Sequence, residues 1–289
     1  MRWARHLLAL WALMTSQRAQ SLGVAPNGSV VAASVFDRAI SLVYGPVQSR
    51  RFGRSLGVNL LPAGLRLCTF DCRYCQCGGR PARRRGRSEP PFPTLEALEQ
   101  ALAGALSADP DVDDICFAGA GEPTLHPRFR EAVILARALR SRLAPRASVT
   151  ILSNGVAAAK PDVRAALALA DHAVLKLDAA RDDLLRDLNC GPRGFSAGRL
   201  IHSYAGMIGI ETQTLLVRGA VENATPDALD ALGEALRLIH PRRAQIGTIT
   251  RAPALARTGP AVLPLSPAAL QAAVARLRRT APGVDIGAY

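Results

Sequence analysis

Three cysteines lie close together in the first third of the chain, at the spacing C-x3-C-x2-C. They are Cys68, Cys72 and Cys75, and Tyr74 directly precedes the third of them. A buried structural cysteine behaves as a small apolar residue and needs no such clustering. Three thiolates at this spacing are typical of ligands for iron and sulfur, and on a four-iron cluster they leave one iron with an open coordination site. The spacing alone leaves three hypotheses: a zinc site, an electron-transfer cluster, and a cluster that binds a further molecule.

The other cysteines bear on the same choice. They are Cys77, Cys116 and Cys190. A chain of 289 residues needs no disulfide bonds to supplement a small core, so the clustering indicates a metal or cluster site in a reducing compartment. We therefore expect a cytoplasmic protein. Cys77 could complete a zinc site, which usually has four protein ligands. We expect it instead to be a bystander.

A second group of residues lies in the segment G-A-G-E-P-T at positions 119–124. A turn of small residues such as Gly121 lets the backbone approach a ligand closely. Glu122 is an acceptor for an ammonium group, and Pro123 fixes the turn. Alone this segment would be a weak signal, but it follows one strand after the cysteine loop.

Three further candidates lie at the carboxyl ends of later strands. Ser153 and Asn154 stand in the sequence S-N-G, and Lys176 stands in L-K-L-D. Lys176 is one of only two lysines in a chain that otherwise uses arginine, the other being Lys160. A lysine in such a background suggests a need for a compact ammonium. It could pair with Asp178, bind a cofactor carboxylate or act on a substrate carbonyl.

The elements that position these residues alternate regularly. Short apolar runs predict six strands, at 56–61, 113–118, 147–153, 172–177, 209–217 and 244–249. Segments with helical spacing lie between them, at 94–107, 127–141, 161–169, 180–188, 195–207, 226–239 and 267–279. Such alternation implies parallel strands with helical crossovers, and hence an α/β partial (β/α)6 barrel of the TIM type. All candidate residues then follow the carboxyl ends of strands, where barrel enzymes carry their chemistry.

Composition limits the other function classes. The formal charge is +13, from 36 Lys+Arg against 23 Asp+Glu. Arginine binds phosphate well, so an anionic partner such as RNA is one interpretation, and a genome that favours arginine codons is the other. A basic stretch at 80–88 lies beside the cysteine loop and contains Arg83, Arg84, Arg85 and Arg87.

Two segments of the chain show no clear pattern of helices or strands. Residues 1–40 are expected to be an N-terminal extension that imitates a signal peptide, with Met14 a candidate true start, and residues 41–289 the main domain. The apolar run near the start is shorter than the ~20 residues that span a bilayer, so no membrane partner is expected. Residues 250–265 are expected to form a loosely structured linker.

Together, these features resemble the radical S-adenosylmethionine (radical SAM) enzymes across residues 45–265. The resemblance rests on C-x3-C-x-aromatic-C at 68–75, on S-R-R-F-G-R-S-L-G at 49–57 and on G-A-G-E-P-T. It implies a [4Fe-4S] cluster on Cys68, Cys72 and Cys75, with SAM bound at the open iron. Ala120 stands where the family typically has a glycine.

The resemblance also implies roles for the remaining candidates. The cofactor-binding set is Tyr74, Gly121, Glu122, Pro123, Ser153 and Asn154. Glu122 would face the amino group of SAM, and Ser153 or Asn154 its ribose. Apart from the resemblance, the rarity of lysine in this chain makes Lys176 the predicted catalytic residue, with a structural salt bridge as the alternative. The implied reaction is reductive cleavage of SAM to methionine and a 5′-deoxyadenosyl radical, with an electron from a reductant such as flavodoxin or ferredoxin.

The motifs are similar to a subgroup related to the tRNA wybutosine-synthesising radical SAM enzyme, which makes tRNA modification an alternative. Two departures count against it: no cysteine precedes Cys68, where archaeal enzymes have ligands for a second cluster, and the flavin domain of eukaryotic enzymes has no counterpart. A non-catalytic protein that binds a metal or cluster and associates with RNA is the other alternative. No segment identifies the substrate, whether small molecule or macromolecule.

Overall fold

A mainly parallel sheet carries the cysteine loop and the later candidate residues along one edge. The computed structural model describes residues 23–24, 30–31, 40–77, 81–82, 86, 88, 90–251 and 261–289. Strands β1 (Gly23–Val24) and β2 (Val30–Val31) pair antiparallel with each other. The expectation for Met14 and most of the 1–40 extension lies outside the described residues.

The main sheet has the order β11-β9-β8-β7-β6-β5-β4-β3, with β10 paired to β8. Its strands are β3 (Val43–Ser49), β4 (Gly53–Val58), β5 (Asp114–Phe117), β6 (Ser148–Ser153), β7 (His172–Lys176), β8 (Glu211–Gly219), β9 (Arg243–Thr248), β10 (Val262–Pro264) and β11 (Ile286–Ala288). Strands β4 to β9 and β11 run parallel, whereas β3 and β10 pair antiparallel with β4 and β8. The sheet is open between β3 and β11, as the prediction of a partial barrel requires.

Helices connect the parallel strands. They are α1 (Leu95–Ala108), α2 (Phe129–Leu143), α3 (Pro161–Leu169), α4 (Asp182–Asn189), α5 (Ala197–Tyr204), α6 (Pro226–Ile239) and α7 (Pro267–Thr280). The starts of α6 and α7 were predictable because Thr225 and Ser266 cap the first turn and a proline follows each. No described helix is long and apolar enough to cross a membrane.

The core lies between the sheet and these helices. Ile115, Phe117, Val149 and Ile151 are fully buried on neighbouring central strands. Helix α1 buries Leu98, Leu102 and Leu106, which recur every four residues and so share one face. Each such side chain contributes about 1.5–3 kcal/mol of transfer free energy. The packing therefore holds the strand ends in fixed positions.

All six predicted parallel strands are confirmed, and among the described residues the main sheet has three further strands that the prediction missed. Strand β3 contains Gly45-Pro46, which reads as a turn, although proline is tolerated on an edge strand. Strand β11 has only three residues, too few to show alternation. The expectation of a linker at 250–265 was wrong for β10, which pairs with the end of β8; residues 252–260 lie outside the described part of the chain.

The amino-terminal edge of the sheet is held by a charged network around Glu211, the first residue of β8. Glu211 is 3% exposed; its Oε1 lies 2.7 Å from His172 Nδ1, and its Oε2 accepts from Gln245 Nε2 at 2.6 Å. Arg242 also donates to this carboxylate. Burial acts to raise the pKa of Glu211, but these hydrogen bonds outweigh it and lower the pKa to about 2. The network ties three strands together at the edge away from the cysteine loop.

Candidate cluster and cofactor site

The cysteine loop follows β4 and is fastened on two sides by backbone hydrogen bonds. On one side, Leu67 donates to Ala120 at 3.1 Å and accepts from the backbone N–H of Glu122 at 2.9 Å. On the other, Asp71 donates to the carbonyl of Asn189 at 2.9 Å. The loop is thus fixed between the turn after β5 and the end of α4.

The three predicted ligands differ in their surroundings. Cys72 is buried, whereas Cys68 and Cys75 are half-buried. Burial raises the pKa of the Cys68 thiol to about 12, and the charges of Glu122 and Cys72 act in the same direction. Burial likewise raises the pKa of Cys72 to about 11. Both thiols therefore hold their protons in the metal-free protein, and binding of a metal or cluster would have to displace them.

Side-chain amides donate to two of these sulfur atoms. Asn154 Nδ2 lies 3.6 Å from Cys68 Sγ and donates to Thr69 Oγ1 at 2.8 Å. Asn189 Nδ2 lies 3.3 Å from Cys72 Sγ. Hydrogen bonds to cluster sulfur atoms are among the features that set the reduction potential of an iron–sulfur protein. Donors aimed at sulfur therefore fit a thiolate ligand set.

Cys77 lies beside Cys75, with which it shares a hydrogen bond. Its thiol donates to the carbonyl of Gly119 at 3.5 Å. A hydrogen bond between the two thiols lowers the pKa of Cys75 to about 6 and raises that of Cys77 above its ordinary value. In the described part of the chain, no group of three or more His, Cys, Asp or Glu side chains surrounds a single ion position. The roles of Cys68, Cys72 and Cys75 as ligands, and of Cys77 as a bystander, therefore stay predictions.

The remaining two cysteines are Cys116 and Cys190. Cys116 is buried within β5, as the apolar strand implied. Cys190 ends α4 in the left-handed conformation.

The turn after β5 is organised by the carboxylate of Glu122, which is 3% exposed. Its Oε1 accepts from Thr124 Oγ1 at 2.6 Å and Ser153 Oγ at 2.8 Å, and its Oε2 accepts from the backbone N–H of Asn154 at 2.7 Å. Burial raises the pKa of Glu122, although these donors act in the opposite direction. Three predicted site residues therefore form one network that joins the ends of β5 and β6.

Two glycines allow this turn to approach the cysteine loop. Gly121 has φ +150°, and a Cβ there would lie 1.8 Å from the carbonyl oxygen of Leu67. A Cβ on Gly119 would lie 2.3 Å from Asn59 Oδ1, which accepts from the backbone N–H of Ala120 at 3.2 Å. Pro123 begins a short 3-10 helix, Pro123–Leu125. Gly121 is therefore required by its close contact with the backbone of Leu67, and Gly119 by its close contact with the side chain of Asn59.

Lys176, the predicted catalytic residue, contacts Tyr74 of the cysteine loop. Lys176 Nζ donates to the Tyr74 hydroxyl at 2.8 Å and lies 3.5 Å from Asp178 Oδ2. Asp178 also accepts from Asn189 Nδ2 at 2.7 Å and from the Tyr74 hydroxyl. Burial alone would lower the pKa of Lys176, but the charges of Asp178 and Cys72 raise it overall. The four side chains form a buried network under the cysteine loop.

Tyr74 is 6% exposed and belongs to this network. Burial raises its pKa well above the ordinary value, and the charge of Asp178 adds to the effect. Its role in binding SAM stays a prediction, as do the roles of Lys176, Ser153 and Asn154.

Sequence reasoning missed three supporting residues. Tyr204 donates to the carbonyl of Lys176 at 2.9 Å and packs over Gly155, whose φ is +76°. Asn223 donates to the carbonyl of Asp178 at 2.8 Å. Asn189 contacts Cys72, Tyr74 and Asp178 from the last turn of α4. Only Asn189 left a trace in the sequence, as the start of the turn N-C-G-P, whereas the other two act across long sequence separations. Arg83, Arg84, Arg85 and Arg87 lie outside the described residues.

Comparison with known proteins agrees with this geometry. The family model described as the Radical SAM superfamily matches residues 65–235, which include every predicted site residue. A UPF0026 protein of Synechocystis sp. (strain PCC 6803) is 30% identical over 222 residues, covering 74% of this chain and 78% of that protein. A protein named GTPase Obg from Brachyspira hyodysenteriae is 26% identical over 216 residues. That match covers 72% of this chain but only 30% of the length of the Brachyspira protein.

A solved structure shows the same fold. The structure of TYW1 with a lysine-pyruvate adduct bound superimposes with a TM-score of 0.55 at 14% identity, over 78% of this chain and 73% of that one. At this identity the likeness concerns the fold, which is the partial TIM barrel of radical SAM proteins. Members of that superfamily bind a [4Fe-4S] cluster and SAM. The chain belongs to the radical SAM superfamily and to the UPF0026 proteins.

Proposed function

We propose that the protein is a radical SAM enzyme that holds a [4Fe-4S] cluster on Cys68, Cys72 and Cys75 and reductively cleaves SAM. The observation that carries the proposal is the junction between the cysteine loop and the turn after β5. The backbone bonds of Leu67 to Ala120 and Glu122 hold these two segments side by side. A molecule on the open iron would therefore lie next to the Glu122 turn.

When bound, the reduced cluster and SAM supply the radical chemistry, and the protein supplies binding and orientation. Cys68, Cys72 and Cys75 would hold three irons. Asn154 and Asn189 would keep donating to two of the ligand sulfur atoms. Glu122 holds Ser153 and the backbone of Asn154 in place, so its fourfold hydrogen bonding makes it a positioning residue for the turn. A remaining lone pair on Oε2 could accept from the amino group of SAM.

Lys176 is assigned a positioning role within the same proposal. The TYW1 neighbour carries a lysine-pyruvate adduct, according to its description. Here Lys176 is bound to Asp178 and to the hydroxyl of Tyr74, so it would have to leave both to attack a carbonyl. We therefore propose that Lys176 holds Tyr74 in position and places its own positive charge beneath the cysteine loop. The tRNA-modifying alternative gains no support from this lysine.

The remaining parts of the proposal follow from the chemistry. The electron requires a reductant such as flavodoxin or ferredoxin. A cluster of this kind and free cysteines are suited to the reducing cytoplasm.

The test is anaerobic reconstitution with iron and sulfide, followed by dithionite and SAM. We expect about four iron atoms per chain and the release of 5′-deoxyadenosine, with both lost in Cys72→Ala. The matched control is Cys116→Ala, a buried cysteine within β5, which should keep both. A fully loaded cluster that yields no 5′-deoxyadenosine would contradict the proposal, as would zinc in place of iron.

A further inference from the structure

A cavity lies beside the cysteine loop. It has a volume of about 980 Å³ and is formed by the segment that follows β6, by α5 and by the loop that precedes α5. Gly155 in its wall directly follows Asn154, which contacts Cys68. Phe195, also in its wall, packs edge-on against Phe70 of the cysteine loop, with ring centroids 5.4 Å apart. The size suits a small molecule or one unit of a polymer.

The cavity is strongly basic. Its wall contains Arg164, Arg193 and Arg199, here called the cavity arginines, together with His202. No Asp or Glu is among the described residues that line it. A guanidinium presents five donors, of which Arg164 uses one on the carbonyl of Ser203 at 2.9 Å and Arg199 one on that of Gly194 at 3.3 Å. The remaining donors are suited to an anion.

Arginine is abundant in this chain, so the charge needs a comparison within the same molecule. A second arginine-rich cavity, between α6 and α7, contains Arg237, Arg276 and Arg279. That cavity also contains Asp230 and Glu234, and Arg276 forms a bidentate ion pair with Asp230 at 2.5 and 2.7 Å. Its charge is therefore largely balanced within the protein. The cavity beside the cysteine loop lacks such a balance among its described lining residues.

The rest of the wall is apolar. Val156, Pro192, Phe195 and Leu200 supply carbon surface next to the arginines. The amino terminus of α5 is already occupied, because Asp182 accepts from the backbone N–H of Ala197 at 2.7 Å and Ser196 caps that of Arg199. An anion would therefore be bound by the side chains, and the helix end would contribute little. A ligand with a charged group and a carbon-rich body fits such a wall.

We propose that this cavity binds a phosphate ester that belongs to the substrate, with its phosphate against the cavity arginines and its carbon-rich part against Phe195 and Pro192. Arginine favours phosphate because its planar fork donates two parallel hydrogen bonds. The position beside the cysteine loop would bring such a substrate close to the cluster. This last step, that the ligand is the substrate, rests on the proposed function; the binding itself does not.

The experiment measures binding to the full-length reconstituted protein without reductant, by calorimetry and by fluorescence anisotropy. The probes are inorganic phosphate, uridine 5′-monophosphate and a short single-stranded RNA of mixed sequence. A uridine nucleotide avoids confusion with the adenosine of SAM. The test variant changes all three cavity arginines to glutamine. The matched control changes Arg130, Arg142 and Arg146 to glutamine, which removes the same charge from the surface of α2 and the turn that follows it.

We expect the test variant to bind at least about tenfold more weakly than the wild type, and the control to change by less than about twofold. Loss for the nucleotide or for phosphate would identify a small phosphorylated ligand, and loss confined to RNA would identify a polymer. Equal binding by the two triple variants for every probe would overturn the proposal. So would the absence of millimolar binding of every probe to the wild type.

A variant that fails to fold would obscure the result, and Arg164 is the one cavity arginine that is half-buried. The double variant Arg193→Gln, Arg199→Gln changes only exposed side chains and should lose at least about threefold; no loss would count against the proposal. Because no SAM is cleaved in these measurements, lost binding and lost 5′-deoxyadenosine formation are separate outcomes, and either can fail alone.

Discussion

The close contact at Gly121 gives the most specific prediction about the site. In Gly121→Ala, the added Cβ would lie 1.8 Å from the carbonyl oxygen of Leu67 and 2.6 Å from its carbonyl carbon. Backbone atoms cannot rotate away as a side chain can. The cysteine loop or the Glu122 turn must therefore move, and the two backbone hydrogen bonds that join them must lengthen or break.

The size of the effect can be estimated from its parts. A residue with a Cβ in a conformation reserved for glycine costs about 1–2 kcal/mol. Two backbone hydrogen bonds contribute about 1 kcal/mol each, and overpacking costs about 1–3 kcal/mol. These contributions overlap, because breaking the hydrogen bonds relieves the overpacking. We expect a total loss of about 3–5 kcal/mol in the free energy of unfolding, a large part of the 5–15 kcal/mol typical of a domain.

The assay is urea unfolding of the metal-free protein, with the iron content after reconstitution as a second readout. The matched control is Gly64→Ala, because Gly64 has φ +70° but no atom within 4 Å of the added Cβ. It should lose only about 1–2 kcal/mol and retain its iron. If Gly121→Ala unfolds at the same urea concentration as Gly64→Ala and binds the same iron, the contact between the turn and the loop does not position the site.

Three further predictions test other parts of the structure. Tyr74→Phe removes a hydroxyl that is hydrogen-bonded to both Lys176 and Asp178, and it should lower the free energy of unfolding in urea by about 2–3 kcal/mol. The control is Tyr44→Phe, whose hydroxyl makes one long hydrogen bond of 3.4 Å and whose loss should be less than about 1 kcal/mol. Equal losses in the two variants would refute the network. The pKa of Glu211 is about 2 in the folded protein against 4.5 ordinarily, so its ionised form should stabilise the fold by about 3 kcal/mol above pH 5 and lose that contribution as the pH falls toward 2; Glu211→Gln should flatten the unfolding free energy of the metal-free protein between pH 6 and 3, and an unchanged slope would contradict this. Cys77→Ser should keep the iron content of the wild type, because its thiol contacts Gly119 and Cys75, whereas an iron loss as large as that of Cys72→Ser would make Cys77 a ligand.

The fold was predictable where one pattern decided the structure. Buried parallel strands read as apolar runs, and proline after a capping residue marked the starts of α6 and α7. Edge strands lacked such a signal: β3 is interrupted by Gly45-Pro46, and β11 is too short. Whether such a segment forms a strand depends on its pairing with the neighbouring strand of the sheet, which its own sequence does not show.

The site, like the fold, was predictable only in part. The cysteines and the Glu122 turn were predictable because their chemistry lies in contiguous segments. Their actual partners were not, because the contacts of Asn189 with Cys72 and of Tyr204 with Lys176 join residues far apart in sequence. The carboxylate of Glu122 was expected to bind a ligand. In the fold, however, most of its hydrogen bonds are made with the protein, including those from Ser153 and Asn154. A residue type indicates what a group can bind, and only the fold determines what it does bind.

The central claim is that three thiolates leave one iron open next to the Glu122 turn. Electron paramagnetic resonance of the reduced, reconstituted protein tests it directly, with and without SAM. If SAM binds at the open iron, the spectrum of the cluster should change on its addition, while S-adenosylhomocysteine and methionine serve as comparison ligands. A sample with about four iron atoms per chain whose spectrum is identical with and without saturating SAM would contradict the account.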